Sequence, residues 1–332
     1  MGREVRSQAV SAVAESLETG DVTTQAIEVV RSSTAPFVGQ EVCLFVTYVP
    51  GDQLLPGPVA LVKALAASGQ AVVVCCAVDD LSVTVDLTEL DGAAVILKRE
   101  NGGYDFAVWA AVLAQMPELW SAKRLFFVND SVLGPLTGLD QTLQRIRASD
   151  ADFLALTESF ELRHHIQSYF FVLQNKGLSS ADVRAFWRQV RVEKTKSAVI
   201  EKYEVQLLEH MRDVASLKTE VLFSYDFLFP GTDWSSVKGK NPTLYLWEHL
   251  INSGFPFVKV ELLNANPHNF YISHWPLLVS LHGGDAEMFH RHLSRVRETR
   301  GLPRPKYSRL TYGTALWRNV MRTRQWVKRR LL

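Results

Sequence analysis

Runs of apolar, β-branched residues recur along the first half of the chain, and each is followed by a segment of helical character. Apolar runs without polar alternation are typical of strands that are buried on both faces. The sequence therefore predicts an α/β fold, a Rossmann-type, mostly parallel sheet flanked by helices. The predicted strands are residues 42–49, 71–78, 93–97, 124–128 and 152–156, and the predicted helices between them are 56–68, 106–114 and 139–148.

The pattern differs on either side of this alternation. Residues 4–18 and 23–32 are polar and are predicted as short helices. Beyond the fifth strand we predict another strand at 167–173 and helices at 180–191 and 195–214. The predicted organisation has three parts: a helical N-terminal extension over 1–40, a main domain over 41–270 and a C-terminal helical region over 271–332.

Composition excludes several classes of protein. Apolar residues make up 47% of the 332 positions and aromatic residues 10%, which excludes a disordered chain. The 3 cysteines lack the spacing of a disulfide framework or of a structural zinc site. No apolar segment approaches the ~20 residues of a membrane span, and the N-terminus lacks the apolar core of a secretory signal. We therefore expect a cytoplasmic protein.

Charge is distributed unevenly along the chain. Residues 300–332 contain ten basic residues and no acid, whereas 1–299 contain 26 basic and 35 acidic residues. In the tail, apolar positions such as Leu316 and Val320 recur at helical spacing, together with Trp317 and Trp326. A basic amphipathic helix of this kind suits the anionic cytoplasmic leaflet of a membrane, and the alternative is a helix docked on the acidic body. The near-neutral overall balance argues against nucleic acid as a partner.

Polar residues follow each predicted strand of the sheet. In open α/β sheets, ligands bind beyond the carboxyl ends of the strands, so these exits are the candidate site. The exits are Thr47-Tyr48, Asp79-Asp80, Arg99-Glu100-Asn101, Asn129-Asp130-Ser131 and Thr157-Glu158-Ser159.

The exit Asn129-Asp130-Ser131 is the strongest candidate for chemistry. A carboxylate between two side-chain oxygens suits a divalent cation, Mg²⁺ or Mn²⁺, that bridges a diphosphate. Asp130 alternatively accepts a hydrogen bond from a sugar hydroxyl directly. A third interpretation is structural, because the same triplet also forms turns and helix caps.

Two further exits carry candidate donor contacts. Arg99 is a candidate partner for phosphate, and Asn101 and Asp105 follow it in a segment whose two glycines allow close approach of a ligand. Asp79-Asp80 is a candidate for recognising a base or a ribose. A turn with a helix cap at Asp105 is the structural alternative. Because the G-x-G-x-x-G fingerprint is absent, we expect no dinucleotide and no other organic cofactor.

The order of these motifs resembles the rhamnan synthesis protein F family of bacterial polysaccharide glycosyltransferases. The resemblance covers residues 42–268 and rests on LFVTYV, LKRENGGYDF, FVNDSVLGPL, the segment around HHIQSYFFVL, VIEKYEVQLLEHM and WEHLINSGFPFVKVELL. It implies a GT-A-like fold and transfer of a sugar, usually rhamnose from dTDP-rhamnose, to a growing cell-surface glycan such as O-antigen or capsule. A lipid-linked acceptor and a peripheral position on the inner face of the bacterial cytoplasmic membrane would suit such an enzyme.

The resemblance also implies roles for individual residues. Asp130 stands where GT-A enzymes carry a D-x-D motif, and the single carboxylate leaves activity without metal as an alternative. Thr47, Tyr48, Asp79, Asp80, Arg99, Asn101, Asp105, Asn129 and Ser131 become candidate donor contacts.

The catalytic base and the acceptor contacts are assigned by the same resemblance. Glu204 precedes an amphipathic helix, as the base of inverting GT-A enzymes does, and Glu201, Glu158 and Glu161 compete with it for this role. Glu158, His165 and Trp247 are candidate sugar or acceptor contacts. The alternative function is a non-catalytic subunit that binds a nucleotide sugar or a glycan within a polysaccharide assembly complex.

Overall fold

The computed structural model describes residues 20–24, 26–33, 35 and 37–300. The helix predicted at 4–18 and the basic tail after residue 300 therefore lie outside the described residues. Within the described part of the chain, no helix is both long and apolar enough to cross a bilayer.

A central sheet of eight strands organises the described residues, with the spatial order β13-β8-β11-β6-β3-β4-β5-β2. Six strands run in one direction, whereas β2 and β11 run antiparallel to their neighbours. The strands of this sheet are β2 (Ile27–Arg31), β3 (Glu41–Val49), β4 (Ala71–Val78), β5 (Val95–Glu100), β6 (Arg124–Asn129), β8 (Phe153–Ala155), β11 (Phe170–Gln174) and β13 (Thr219–Val221). The mixed α/β fold with a mostly parallel sheet is thus confirmed.

Three two-stranded ladders flank the sheet in the described residues. They pair β1 (Gly20–Asp21) with β12 (Arg191–Val192), β9 (Glu158–Ser159) with β10 (His165–Ile166), and β7 (Val132–Leu133) with β14 (Val258–Lys259). The last ladder connects the segment after Asp130 to a part of the chain more than a hundred residues later.

The prediction of a helix at 23–32 was wrong. Residues Val22–Thr24 form a short 3₁₀ turn, and Ile27–Arg31 form an antiparallel edge strand on β5. Because this strand lies at the edge of the sheet, three of its five residues are exposed, and its polar composition conceals the strand pattern. The N-terminal part is therefore not a purely helical extension: part of it completes the sheet.

Helices cover both faces of the sheet and surround its ends. They are α1 (Pro56–Ala67), α2 (Tyr104–Gln115), α3 (Leu139–Ala148), α4 (Lys176–Ser179), α5 (Ala181–Gln189), α6 (Lys196–Val199), α7 (Val205–Glu209), α8 (Tyr225–Leu228), α9 (Pro242–Tyr245), α10 (Trp247–Asn252), α11 (Val260–Asn264), α12 (Trp275–Leu281) and α13 (Ala286–Arg300). Short 3₁₀ turns lie at Val22–Thr24, Thr88–Leu90, Pro117–Ser121 and Ser235–Val237, and π-helical turns lie at Ile200–Glu204 and His210–Val214.

Alternating aromatic residues divide the core between the two sheet faces. Phe127 stacks on Phe171 at 4.6 Å between ring centroids and on Trp187 of α5 at 4.9 Å. The preceding residues, Phe126 and Phe170, meet edge to face on the opposite side of the sheet. Successive strand residues point to opposite faces of the sheet. Phe126-Phe127 on β6 and Phe170-Phe171 on β11 therefore each place one ring in the core on either side of the sheet.

The C-terminal helices as far as residue 300 pack onto the main domain. Trp275 of α12 stacks on Phe289 of α13, and His292 Nδ1 accepts a hydrogen bond from the Gly57 amide at the start of α1. A Cβ atom at Gly57 would lie 2.5 Å from Leu133 and 2.8 Å from His292, so this contact requires glycine. This part of the C-terminal region thus shares a core with the main domain.

Candidate active site

Asp130 lies at the end of β6, where the neighbouring strand β3 also ends. Its Oδ2 atom accepts a hydrogen bond of 2.8 Å from Thr47 Oγ1 and one of 2.9 Å from the Tyr48 amide. Both donors lie near the end of β3, which pairs in parallel with β6, so the sheet itself sets this geometry. Asp130 is thereby held against the carboxyl edge of the sheet.

A second set of contacts extends this arrangement across the next strands. The Tyr48 hydroxyl donates to Asp79 Oδ2 at 2.5 Å, and Asn101 Nδ2 donates to Asp79 Oδ1 at 3.4 Å. Four strand exits, those of β3, β4, β5 and β6, are therefore joined by side-chain hydrogen bonds. Asp80 stands apart, because its exposed carboxylate accepts from Ser82, which lowers the pKa of Asp80.

A cavity of about 670 Å³ opens beside this edge. Two of the residues that line it, Asn129 and Ser131, are the neighbours of Asp130. Titratable side chains line much of the remainder: Asp105, Glu161, His165, Lys196, Glu204, Lys259, Glu261 and His268. A space of this volume suits a small ligand, and the charges around it favour a polar one.

Asp105 connects the cavity to the strand ends. It lies in the first turn of α2, and its Oδ2 atom accepts a 2.6 Å hydrogen bond from Asn129 Nδ2. Burial, followed by the nearby charges of Asp130 and Glu204, raises the pKa of Asp105 to about 7. The hydrogen bond from Asn129 acts in the opposite direction and is outweighed. Asp105 thus exchanges its proton near neutral pH.

Glu204 faces the same cavity from a different element. It ends the π-helical turn Ile200–Glu204, which lies between α6 and α7. Turns of this type widen a helix locally and are frequent at functional sites. Ser168 Oγ donates a short hydrogen bond to Glu204 Oε2, which fixes the carboxylate at the cavity wall. Glu201 is exposed and lies outside the cavity lining, whereas its competitor Glu161 lines it.

The two adjacent histidines have different surroundings. His165 is buried, lines the cavity and has its Nδ1 atom 2.7 Å from the Arg163 carbonyl. His164 stacks on Phe160, and its Nε2 atom lies 2.7 Å from Glu158. Because the Tyr225 amide also donates to Glu158, both oxygens of that carboxylate already have protein partners.

Five of the sequence candidates line the cavity, and the others lie outside its lining: Thr47, Tyr48, Asp79, Asp80, Arg99, Asn101, Asp130, Glu158 and Trp247. Arg99 is fully buried, and its Nη2 atom donates weakly to the Gly102 carbonyl at 3.4 Å. Trp247 is buried in the apolar core beside His274, and Glu158 is engaged as described above. Sequence position alone cannot distinguish a buried strand-end side chain from one that faces a ligand, and the roles of Arg99, Trp247 and Glu158 as ligand contacts stay predictions.

Two lysines that line the cavity, Lys196 and Lys259, are not among the candidates predicted from the sequence. Lys196 begins α6, and Lys259 ends the two-residue strand β14. The Nζ atom of Lys259 lies 5.9 Å from the centre of the Tyr169 ring. Burial lowers the pKa of Lys259, whereas Glu204 and Glu261 oppose this shift. The apolar residues around position 259 were the available signal, because they predict a lysine stem packed against the core.

The side chains around Asp130 do not fit a divalent cation well. One oxygen of Asp130 already accepts two hydrogen bonds, and both polar atoms of the Asn129 side chain have protein partners. Among the residues the structure describes, no group of three or more His, Cys, Asp or Glu is placed to hold a metal ion. A bridging cation usually needs several such oxygen ligands.

Comparison with known proteins identifies the family. The model of the family described as rhamnan synthesis protein F matches residues 75–300, which include Asp105, Asp130 and Glu204. This chain belongs to the rhamnan synthesis protein F family. The resemblance seen in the motifs is confirmed, and rhamnan synthesis is the process named in the description of this family.

Two relatives of this rhamnan synthesis protein F family member are partial matches. A protein named virulence protein VirA, from Vibrio anguillarum, is 30% identical over 200 residues, which make up 53% of this chain and 64% of that protein. An uncharacterized protein, y4gN of Sinorhizobium fredii, is 31% identical over 123 residues, or 36% of this chain and 32% of that protein. The chain thus spans less than two thirds of the length of these relatives.

Proposed function

We propose that this family member is a glycosyltransferase that moves a sugar from a nucleotide donor to a growing polysaccharide. The observation that carries the proposal is the cavity at the carboxyl edge of a parallel sheet, where Asp105 and Glu204 face the neighbours of Asp130. This is the edge where α/β sheets bind nucleotides. Following the motif resemblance, the first donor to test is dTDP-rhamnose, with a lipid-linked glycan as acceptor.

Glu204 is the proposed base. The acceptor oxygen attacks the anomeric carbon of the donor sugar, while the bond from that carbon to the diphosphate oxygen breaks. The diphosphate leaves with the bonding electrons, and the hydroxyl proton moves to Glu204. Attack from the face opposite the leaving group inverts the anomeric centre. The Ser168 hydroxyl orients the carboxylate for this proton transfer.

The contacts of the strand ends support donor binding at the same edge. Asp79 and Asp130 hold the Tyr48 side chain and main chain, respectively, and so shape the rim between β3 and β4. Asp105 is proposed to bind a sugar hydroxyl, because a carboxyl group with a pKa near 7 both donates and accepts hydrogen bonds.

The test is transfer by Glu204→Gln with a matched control. Glu201→Gln changes an exposed carboxylate three residues away that lies outside the cavity lining. We expect Glu204→Gln to lower kcat by about 10²- to 10⁴-fold with little change in donor binding, and Glu201→Gln to behave as the wild type. Product is measured by chromatography after incubation with dTDP-rhamnose and a lipid-linked acceptor.

The same assay separates the competing assignments. If Asp105→Asn loses turnover and Glu204→Gln retains it, Asp105 is the base and the assignment of Glu204 is wrong. A wild-type protein that binds the donor but transfers no sugar from a panel of dTDP-, UDP- and GDP-sugars would instead support the non-catalytic binding subunit.

A further inference from the structure

We propose that Lys259, assisted by Lys196, neutralises the diphosphate of the donor in place of a divalent cation. This inference rests on the proposed function and specifies how the same site binds its substrate. It starts from the poor fit of Asp130 and its neighbours to a metal ion, described above. A nucleotide sugar still brings two negative phosphates, so some positive charge has to face them.

The backbone of Lys259 is fixed beside the residues that follow Asp130. Lys259 pairs with Val132 in the ladder between β14 and β7, and the Val260 amide donates a 3.0 Å hydrogen bond to the Ser131 carbonyl. The ladder therefore holds the backbone of Lys259 next to the Asn129-Asp130-Ser131 segment. Its side chain lines the cavity together with Asn129 and Ser131.

The Lys259 ammonium group has no direct anionic partner in the described part of the chain. The structure gives it neither a hydrogen bond nor a salt bridge there, and its Nζ atom lies 5.9 Å from the centre of the Tyr169 ring. Removing an ammonium group from water without pairing it is costly. A bound phosphate oxygen would supply the missing partner, so this cavity is better suited to an anion than to no ligand.

Lys196 places a second positive charge near the same point. Lys196, Lys259 and Asp105 line the same cavity, and the charge of Lys196 lowers the pKa of both other groups. Two cations separated in sequence by more than sixty residues, on α6 and on β14, thus converge where the diphosphate of a donor would leave. The acids Glu161 and Glu261 also line the cavity, and they are suited to hydroxyl groups of a glycan.

The experiment measures nucleoside diphosphate binding by the full chain in excess EDTA and in Mg²⁺ or Mn²⁺. The probes are dTDP, UDP and GDP, titrated by calorimetry. Lys259→Met retains the length of the side chain and removes its charge, Lys259→Arg retains the charge, and Lys218→Ala is the control. Lys218 forms an ion pair with Asp150 and lies outside the cavity lining. Thermal unfolding of each variant checks that it is folded.

We expect at least one of the three diphosphates to bind the wild type in EDTA as tightly, within about threefold, as in Mg²⁺. Loss of a charge-assisted contact should weaken this binding by at least about tenfold in Lys259→Met. Lys259→Arg should retain most of the affinity, and Lys218→Ala all of it. Binding that needs Mg²⁺ or Mn²⁺, equal affinity in Lys259→Met, or no binding of any diphosphate would overturn the inference.

Turnover measurements show whether Lys259 contacts the donor or the lipid-linked acceptor. They also separate this inference from the proposed function. Lys259→Met should raise KM for the donor and leave KM for the lipid-linked acceptor unchanged, whereas the reverse result would assign the lysine to the acceptor and overturn the inference. If sugar transfer depends on metal and not on Lys259, the proposed glycosyltransferase function stands and the role of Lys259 in binding the diphosphate is wrong. If nucleoside diphosphates bind without metal and through Lys259, but no donor supports sugar transfer, the inference about Lys259 stands and the proposed transferase activity is wrong.

Discussion

The carboxyl group of Asp105 lies beside two other acids, Asp130 and Glu204, in a partly enclosed cavity. Burial and this like charge favour its neutral form, so the protein retains a proton there that the unfolded chain loses near pH 4. An acid with a raised pKa in the folded state makes the protein less stable as the pH rises from the unfolded pKa to the folded pKa. The affected window for Asp105 therefore extends from about pH 4 to about pH 7.

Asp105→Asn removes this titration and should flatten the pH dependence of stability. Between pH 5 and pH 8, the Asp105 carboxyl should cost the wild type up to about 3 kcal/mol, and the variant should not show this loss. The free energy of unfolding is measured in urea at both pH values. Asp140→Asn, which changes an exposed carboxyl on α3, is the control and should retain the wild-type difference. An Asp105→Asn profile parallel to that of the wild type would contradict the shift.

Ser168 is the residue that positions the proposed base. Its hydroxyl donates to Glu204, and Ser168→Ala leaves that carboxylate without its short hydrogen bond. We expect kcat at its optimum to fall by roughly tenfold, with donor KM unchanged. An unchanged kcat, or a fall in kcat accompanied by weaker donor binding, would show that Ser168 does not position the base.

At the scale of elements, the ladder between β7 and β14 transmits the position of one part of the site to the other. Gly134 follows β7 and packs against the segment that leads into β14, where a Cβ atom would lie 2.6 Å from the Phe257 ring and 2.7 Å from the Pro256 carbonyl oxygen. Leu136 donates a 2.8 Å hydrogen bond to the same carbonyl. The glycine of the FVNDSVLGPL motif is thus explained by this close approach.

Gly134→Ala should therefore disturb both stability and ligand binding. Overpacking against a backbone carbonyl and a buried ring is expected to cost about 1–3 kcal/mol of unfolding free energy. Displacement of β14 should also weaken nucleoside diphosphate binding, because that strand carries Lys259. Gly92→Ala is the matched control, since its added Cβ would meet the Ala66 methyl group at 3.3 Å and lies away from the cavity. Equal stability of the two variants would contradict this prediction, because it would show that the backbone around Gly134 accommodates the added Cβ atom.

The central strands were predictable because they are buried on both faces. The run Ala71–Val78 is apolar without interruption, and seven of its eight residues are buried, as a parallel strand between two helical layers requires. The strand Ile27–Arg31 was missed because an edge strand mixes polar and apolar residues. The type of an element can thus be predicted from sequence where both faces of a strand are buried. The prediction fails where one side of the strand faces solvent.

The candidate site was predictable only in part, for a related reason. Thr47 lies near the end of β3 and Asp130 directly follows β6, and the rule that ligands bind at strand ends brings both into one candidate site. Lys259 ends a strand of two residues whose partner is β7, so its position depends on a contact across more than a hundred residues. Arg99 was predicted to follow a strand, but it lies within β5 and is fully buried, because its orientation depends on packing that no local pattern contains.

At the scale of the whole molecule, basic residues are concentrated in the C-terminal tail. The strongly basic segment lies after residue 300, outside the described residues, and its amphipathic character is a prediction from sequence. The proposed acceptor is lipid-linked, so an enzyme held at an anionic membrane surface would meet its substrate more often. Each basic residue near such a surface contributes ~1 kcal/mol, and a handful of them is enough for reversible binding.

Replacement of the basic residues by Gln in the full chain tests this prediction. The six positions are Arg318, Arg322, Arg324, Lys328, Arg329 and Arg330. In flotation with vesicles that contain about a third anionic lipid, we expect the wild type to bind at low salt and to dissociate as salt rises, because the attraction is screened within a Debye length. The six-fold variant should bind at least about tenfold more weakly while retaining turnover on a soluble acceptor analogue. Equal binding of both proteins to neutral vesicles would attribute the affinity to the apolar residues of the tail, and no binding by the wild type would favour a helix docked on the acidic body.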